Sequence, residues 1–422
     1  MKILAAIFAV VLSASAAFTQ NSTATGTKLT PAEQSIAAAN RLIEKNPKDY
    51  EAYNALALAL SRRARETSDP NFYVQGEAAL QKSFEIAPEN FDGKRIQVWL
   101  LLGKHEFAAA LEEAKKLNKK MPDDVMVYGF LTDANVELGN YVDAESAANW
   151  MLKLRPATQP AVTRAAYLRE LFGDTDGALE LMSMAFQSNP PSQVEDGAWL
   201  LTQVAHLNLA VGNADIAEKQ LQQALAMFPG YHYALGNLAK VRIQQKRYPE
   251  AVELLKQRYE AAPHAENLYE LAVALQLAGR TDDARKAFGE FEQKSLKETD
   301  RADNSNHELT FYYADYRNSP DKALQVAKRE VARRHDVHTL DSYAWALYKN
   351  YQYSEAYNQI KAVLSVGIRD ANIFRHAGEI ALKLGDNAAA ERYLQQAAQL
   401  NTAGSDQARL TLTRLHLPGN AR

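Results

Sequence analysis

His105-Glu106 and His307-Glu308 are two places where this 422-residue chain starts to spell a zinc-hydrolase helix. That motif sets a second His four residues after the first, so both rings face one metal while the Glu between them acts as general base. Here the fourth positions hold Ala109 and Phe311, which offer no ligand. His335 and His338 in RRHDVH stand three apart and read as solvated histidines in a turn rather than a metal pair. Gly173-Asp174-Thr175-Asp176-Gly177 begins like a calcium loop, but the third acidic position and the distal Glu are missing, so it reads as a turn between helices. The chain holds no G-x-S-x-G, no G-x-x-x-x-G-K and no G-x-G-x-x-G. It also has no Cys, which excludes disulfides, thiolate metal sites and a lipid-bearing thiol. With no nucleophile and base in view, the expectation is a protein without catalytic residues, metal or cofactor.

Partners are bounded by charge. The formal net charge is −3 and no block of Lys or Arg stands out, so nucleic acid is not an expected partner. A content of 47% hydrophobic and 23% charged residues is that of an ordinary soluble globular chain. What remains as potential chemistry is surface, and aromatic surface above all. Its value depends on the elements that present it.

Those elements repeat. Pro88, Pro122, Pro156 and Pro190 follow one another at a 34-residue step, and Pro229 and Pro263 keep the same step. Twelve residues before each of these Pro residues except Pro88 stands an Ala (Ala110, Ala144, Ala178, Ala217, Ala251), and Ala284, Ala323, Ala356 and Ala390 continue the series where the Pro is lost. Five residues before these come Gly139, Gly173, Gly212, Gly279 and Gly385. A further small residue recurs 12 positions before the Ala, as in Ala166, Ala205, Ala239, Ala272, Ala344 and Gly378. Apolar residues between these marks have helical spacing, so each unit holds two amphipathic helices. The Gly closes the first helix in a left-handed conformation, the small residues let the two helices approach, and the Pro ends the second.

This pattern resembles the tetratricopeptide repeat, a 34-residue helix–turn–helix unit. The resemblance implies an all-α solenoid wound into a right-handed superhelix. Ten units are expected, starting near Tyr50, Phe91, Val125, Gln159, Ala198, His232, Ala265, Asn304, Val337 and Ala371. A lone helix over Pro31 to Lys45 precedes them, so the solenoid spans 31–404, and 405–422 holds a capping helix (Ser405 to Leu417) and tail. Thr30-Pro31-Ala32-Glu33 opens the folded part as a capping box. Three stretches depart from the pattern: an insert at Arg65 to Gly76 in unit 1, and lengthened turns at Pro191 to Gly197 and Lys297 to Asp303. They are expected to break the superhelix into segments.

In stacked repeats the first helices line a concave groove, which is the usual binding face. The second, fifth, ninth and twelfth positions of each first helix should face it. They place Trp99, Tyr167, Trp199, Tyr233, Tyr269, Tyr312, Trp345 and Tyr348 inward, with Arg95, His206, Lys240, Asp341 and Arg375 between them. The densest cluster is expected in units 8 and 9, where Tyr312, Tyr316, Trp345 and Tyr348 project inward behind a rim of Asp315, Asp341 and Lys349, while Phe311, Tyr343 and Leu347 serve the core. The carboxylate clamp of some family members is not carried over, because Asn54, Arg95 and the pair Asn237 and Lys240 lack neighbours of that kind. The expected function is a scaffold that holds a protein or peptide partner in the groove. The alternative is a module for cell-envelope glycan or another small ligand, since aromatic platforms also stack on sugars.

The N-terminus adds an address. Lys2, the apolar run Ile3 to Leu12 and the small-residue zone Ser13 to Ala17 form a secretion-signal pattern over 1–17, cleaved near Ala16 or Ala17. The run is too short to span a bilayer, so no transmembrane segment is expected after cleavage. A flexible tether over 18–30 follows, rich in Ser, Thr, Asn and Gly. Export, with the bacterial periplasm as destination, is the expectation.

Overall fold

The computed structural model describes residues 29–400, 402 and 404–415. The signal pattern, nearly all of the tether and the tail after Leu415 lie outside the described residues. Every regular element among the described residues is helical, and none of these helices is long and apolar enough to cross a membrane. Helices start where the sequence supplies a cap. The Glu33 amide donates to Thr30 Oγ1 at 3.3 Å and the Thr30 amide donates back to Glu33 Oε2 at 2.8 Å, which completes the capping box. Asp49, Asn90, Asp124, Asp174, Asp336, Asp370 and Asp386 accept from first-turn amides of later helices in the same way.

After the first helix, Pro31–Lys45, come ten antiparallel hairpins. Units 1 to 5 are Tyr50–Thr67 with Asn71–Ile86, Phe91–Gly103 with Phe107–Lys120, Val125–Glu137 with Tyr141–Leu154, Gln159–Leu171 with Thr175–Gln187, and Val194–Ala210 with Ala214–Met227. Units 6 and 7 are His232–Gln244 with Tyr248–Ala261 and Ala265–Leu277 with Thr281–Leu296. In unit 8, Asn306–Phe311 runs into a π-helix, Tyr312–Tyr316, before Pro320–Val331. Units 9 and 10 are Val337–Lys349 with Tyr353–Val366 and Ala371–Lys383 with Asn387–Gln399. Unit 5 opens at Val194 rather than Ala198, and unit 8 at Asn306 rather than Asn304; the other starts fall where the repeat put them.

The small residues are the hinges of the packing. Ala110, Ala144, Ala178, Ala217, Ala251, Ala284, Ala323, Ala356 and Ala390 are all 0% exposed. A Cβ on Gly378 would sit 2.6 Å from Leu394 Cγ, so the two helices of unit 10 meet at van der Waals contact. At the C-terminal end, Ala408 and Leu412 of Ser405–Leu415 cover Leu394 and Ala397.

The three departures from the repeat do not break the superhelix. They join it to itself. In unit 1 the insert lengthens both helices instead of forming a loop, and Arg65 on this extension pairs with Glu195 and Asp196. Those two acids lie on the second departure, which adds a turn to the start of the first helix of unit 5. The third departure carries Asp303, 3.4 Å from His105 of unit 2. Further along, the His335 amide donates to the Glu137 carbonyl at 3.0 Å, and the Val337 amide to the Tyr141 hydroxyl at 2.9 Å, tying the start of unit 9 to unit 3. A Cβ on Gly173 of unit 4 would meet the Gly367 carbonyl of the turn between units 9 and 10 at 2.5 Å. Roughly five units on, the chain therefore lies on its own first coil. Units 1 to 4 form a lower coil, later units an upper one, and a polar seam runs between them.

Candidate functional site

The first helices face the inside of these coils, and the residues expected on that face divide into two groups. Tyr167, Tyr233, Lys240, Tyr269 and Tyr348 are half-buried, and Tyr316 is 42% exposed. Trp99 and Trp199 are each 9% exposed, Tyr312 is 5% and Trp345 only 2%. The latter four are therefore walls rather than free platforms. Trp99 donates from Nε1 to Ser61 Oγ at 3.1 Å and meets Phe130 edge-on. The intervening polar residues are also engaged: His206 with Glu170 at 2.7 Å, Arg95 with Asp124 at 2.7 Å, Lys240 with Glu270 at 3.9 Å.

The expected open cluster of four rings in units 8 and 9 is corrected by the structure. Trp345 is sandwiched, with Tyr348 stacked at 4.7 Å and His376 at 4.1 Å. Its Nε1 donates to Asp315 at 3.0 Å, and Lys349 and Arg375 lie over the ring at 4.9 and 5.0 Å. His376 is itself fixed by Asp341, 2.8 Å away. In unit 8 the error is one of phase. The Arg317 amide donates to the Tyr312 carbonyl, an i to i+5 bond that inserts an extra residue into the turn. Tyr312 and Tyr313 rotate into the core, Tyr312 against Phe288 and Phe291 and Tyr313 against Tyr312, their hydroxyls on Glu292 at 3.2 and 2.8 Å, while Phe311 is only partly buried. Tyr343 is likewise only partly buried, and Leu347 is core. Tyr316 lies edge-on to Tyr269 and over Phe288 at 4.6 Å.

The seam holds a polar cluster drawn from several units. A cavity of about 100 Å³ lies there, lined by Arg65 and Tyr73 of unit 1, His105 of unit 2, Glu137 of unit 3, Trp199 of unit 5, His232 and Tyr233 of unit 6, Arg258, Glu266, Asp303 and Arg334. Arg258 pairs with Glu270, and Arg334 contacts Glu137 at 3.1 Å and Glu330 at 3.0 Å. Burial works against the charge on Arg334, but Asp336, Glu137 and Glu330 hold it protonated. In return, and against the cost of its own burial, Asp336 is held down at about 2 by Arg334. His232 Nε2 lies 2.9 Å from the Arg65 carbonyl, which only accepts, so Nε2 carries the proton. Burial drives the His232 pKa down to about 3 and it is neutral at pH 7. Burial also pushes the Tyr233 hydroxyl up to about 12.

Deeper in the seam, Tyr167, His307, Glu308, Asp336 and His338 border a smaller pocket that shares Glu137 and Arg334. Burial lowers the pKa of both His307 and His338. The reading of His338 as solvated is thus corrected: it lies against the interior, and only His335 is exposed. No three His, Cys, Asp or Glu side chains converge as metal ligands among the described residues. Gly173 to Gly177 is the turn of unit 4, with the Gly177 amide donating to Asp174 at 2.9 Å. Arg65, His232, Arg258 and Arg334 were not among the expected site residues. The visible signal was that Arg65 and the two acids it pairs with, Glu195 and Asp196, sit on stretches that break the repeat.

Comparison with known proteins places the fold. A tetratricopeptide repeat family model matches residues 205–266, from within the first helix of unit 5 through unit 6 to the start of unit 7. No curated protein matches the chain. Among solved structures, a human IFIT1 dimer with PPP-AAAA aligns at a TM-score of 0.51 and 13% identity, over 87% of this chain and 86% of that one. The Cut9-Hcn1 hetero-tetramer of APC/C aligns at 0.46 and 16% identity over 90% of this chain, which spans 59% of its length. A tetratricopeptide repeat protein from Parabacteroides merdae aligns at 0.37 and 16% identity, over 60% of this chain and 97% of that one.

Proposed function

We propose that this chain, a helical repeat array of the tetratricopeptide type, is a non-catalytic scaffold that grips a protein segment on the inward face of its first helices. The fold is one whose members bind protein partners. The observation that carries the finer reading is the line of partly exposed rings along that face: Tyr167, Tyr233, Tyr269, Tyr348 and Tyr316. Aromatic rings with one wet edge are the usual anchors of a protein interface. Tyr316 offers the most accessible of them. A photoreactive residue placed at Tyr316 should crosslink to a protein segment, while the same residue at Trp150, exposed on a second helix, should not. Equal crosslinking at both positions, or none at Tyr316, overturns the assignment. The proposal extends to location. With its signal pattern over 1–17 the chain acts after export, in the periplasm, and N-terminal sequencing of the exported protein should begin near Ala17 or Phe18. A sequence beginning at Met1 overturns that part alone.

A further inference from the structure

The seam follows a rule that stops partway along the chain. The hairpin tip of unit 2, at His105, meets Asp303 in the turn between units 7 and 8. A Cβ on Gly139, at the tip of unit 3, would sit 2.7 Å from the His335 carbonyl in the turn between units 8 and 9. Gly173, at the tip of unit 4, faces Gly367 between units 9 and 10. Each of these tips seats on the turn that follows the unit five further on. The tip of unit 5 is an exception, since a Cβ on Gly212 would meet nothing within 4 Å. The tip of unit 6 still finds the last helix, with Lys246 3.1 Å from Asp406. Units 7 to 10 have no turn that far ahead among the described residues. Their tips stand open: a Cβ on Gly279 or Gly385 would meet nothing within 4 Å, and Leu277, Tyr351 and Leu384 at these tips are exposed. Tyr351 has a left-handed backbone, with φ of 61°, as do His105 and Lys246 at the tips of units 2 and 6. Those two residues reach across to other parts of the array, whereas the Tyr351 ring is 78% exposed and meets only the edge of Tyr353. An exposed ring held on a backbone that Gly would relax points to binding rather than to folding.

By the same rule, the turns that follow the early units have no tip five units behind them. The turns between units 2 and 3 and between units 3 and 4 border a cleft of about 650 Å³. Met121, Pro122, Met126 and Pro160 give it apolar walls, and Asp123 and Arg155 add charge. Met121, Asp123 and Arg155 are exposed. We propose that a second copy of this chain joins the two open edges, with Tyr351 of one copy seated in this cleft of the next. There Met121 packs on the ring, the Arg155 guanidinium stacks over it and Asp123 accepts from its hydroxyl. The terminal helices fit the same junction. Pro31–Lys45 precedes unit 1 in the place of a second helix, and Ser405–Leu415 follows unit 10 in the place of a first helix. Together they complete one further hairpin between copies, and each carries an exposed leucine, Leu42 and Leu410. Counting that hairpin as a unit, the turn five units on from unit 9 is the one between units 3 and 4 of the next copy, which borders the cleft. The two edges differ, so the contact is heterologous and propagates head to tail instead of closing as a symmetric pair. The proposal concerns the edges of the coils and does not depend on the groove reading.

Sedimentation velocity of the intact protein over a concentration series tests it. The weight-average mass should rise from that of one copy at low concentration to beyond that of a dimer. Tyr351→Asp changes an exposed side chain for one that accepts a left-handed backbone, and Arg155→Glu changes the opposite edge. Each should raise the concentration needed for assembly at least tenfold. Mixed in equal amounts, the two variants should form a dimer and stop there, because one intact tip meets one intact cleft. A photoreactive residue at Tyr351 gives a readout that needs neither variant, and should crosslink to 121–126 or 155–160 of another copy. A wild-type protein that stays a single copy at every concentration overturns the proposal. A mixture no larger than either variant alone, or crosslinks that map to the Tyr351 tip of the other copy, overturns the head-to-tail pairing of these two edges.

Discussion

Within unit 3, Ala144, Ala148 and Met151 of the second helix are buried to 2% exposure or less. At the tip of the same hairpin, Glu137 meets Arg334 and the His335 amide from the other coil. The first contact is dry, built from small apolar residues close in sequence. The second is charged and joins residues nearly 200 positions apart. The contrast recurs along the molecule and separates two tasks. Apolar periodicity makes each hairpin and stacks it on the next, which is a nearest-neighbour problem. Closing one coil on another needs contacts specified at a distance, and charged groups do this because an unpaired partner is heavily penalised.

The largest effect should come from breaking the seam. Arg65→Ala leaves Glu195 and Asp196 without their cation, and breaking such a buried pair costs about 3–5 kcal/mol. Hydrogen exchange should rise most at the start of units 5 and 6, over 194–200 and 232–238, while unit 10 keeps its protection. Uniform loosening of all units would show that seam and hairpins are a single cooperative structure.

Acid should act on the same place. His232 titrates near 3 in the folded protein against about 6.5 when unfolded. The unfolded chain therefore binds the extra proton first, and stability present above pH 6.5 is lost as pH falls toward 3. His307 and His338 are shifted in the same direction, so all three favour unfolding on acidification. Melting temperatures between pH 7 and pH 4 should fall, and His232→Gln should flatten that slope. An unchanged slope in the variant would place the acid response elsewhere.

A hairpin defect should be milder and local. Ala144→Leu forces a larger side chain into a site with 0% exposure, an overpacking that costs about 1–3 kcal/mol. Exchange should increase in residues 125–154 and the adjoining helices while the Arg65 contacts persist. Opening of the seam at 194–200 in this variant would mean that the two chemistries are not separable.

The contrast also sets what the sequence shows. The hairpins were legible because Ala, Gly and Pro recur at fixed steps, and each marks a local steric requirement. The seam was not, because closure sums small rotations over several units and no single residue encodes them. Its traces were present as irregularities at Arg65 to Gly76, Pro191 to Gly197 and Lys297 to Asp303, but their partners were not. His335 is a further trace. It occupies the position of a lost Pro, 12 after Ala323, and its amide makes the seam bond that Pro has no N–H to make. The phase of Tyr312 and Trp345 was misjudged for different reasons. A π-turn is invisible in apolar spacing, and a Trp enclosed by Tyr348, His376 and Arg375 looks in sequence like one facing a groove.

The smallest test compares two hairpin tips with the same backbone. His105 and Tyr351 both take the left-handed conformation that Gly fills in other units, with φ of 60° and 61°. For a side-chain-bearing residue this costs about 1–2 kcal/mol, of which Gly returns part through the larger entropy of its unfolded state. Tyr351 is 78% exposed and meets only the edge of Tyr353, so Tyr351→Gly loses little contact and should stabilise by about 0.5–1 kcal/mol. His105 stands at the seam, stacked on Phe107 at 5.3 Å and 3.4 Å from Asp303. The same relief of strain there is offset by the lost seam contacts, so His105→Gly should be neutral or destabilising. Chemical denaturation of the two variants reads the difference directly. If both changes stabilise equally, the seam at His105 contributes nothing, and the division between self-sufficient hairpin and specified closure fails at that point.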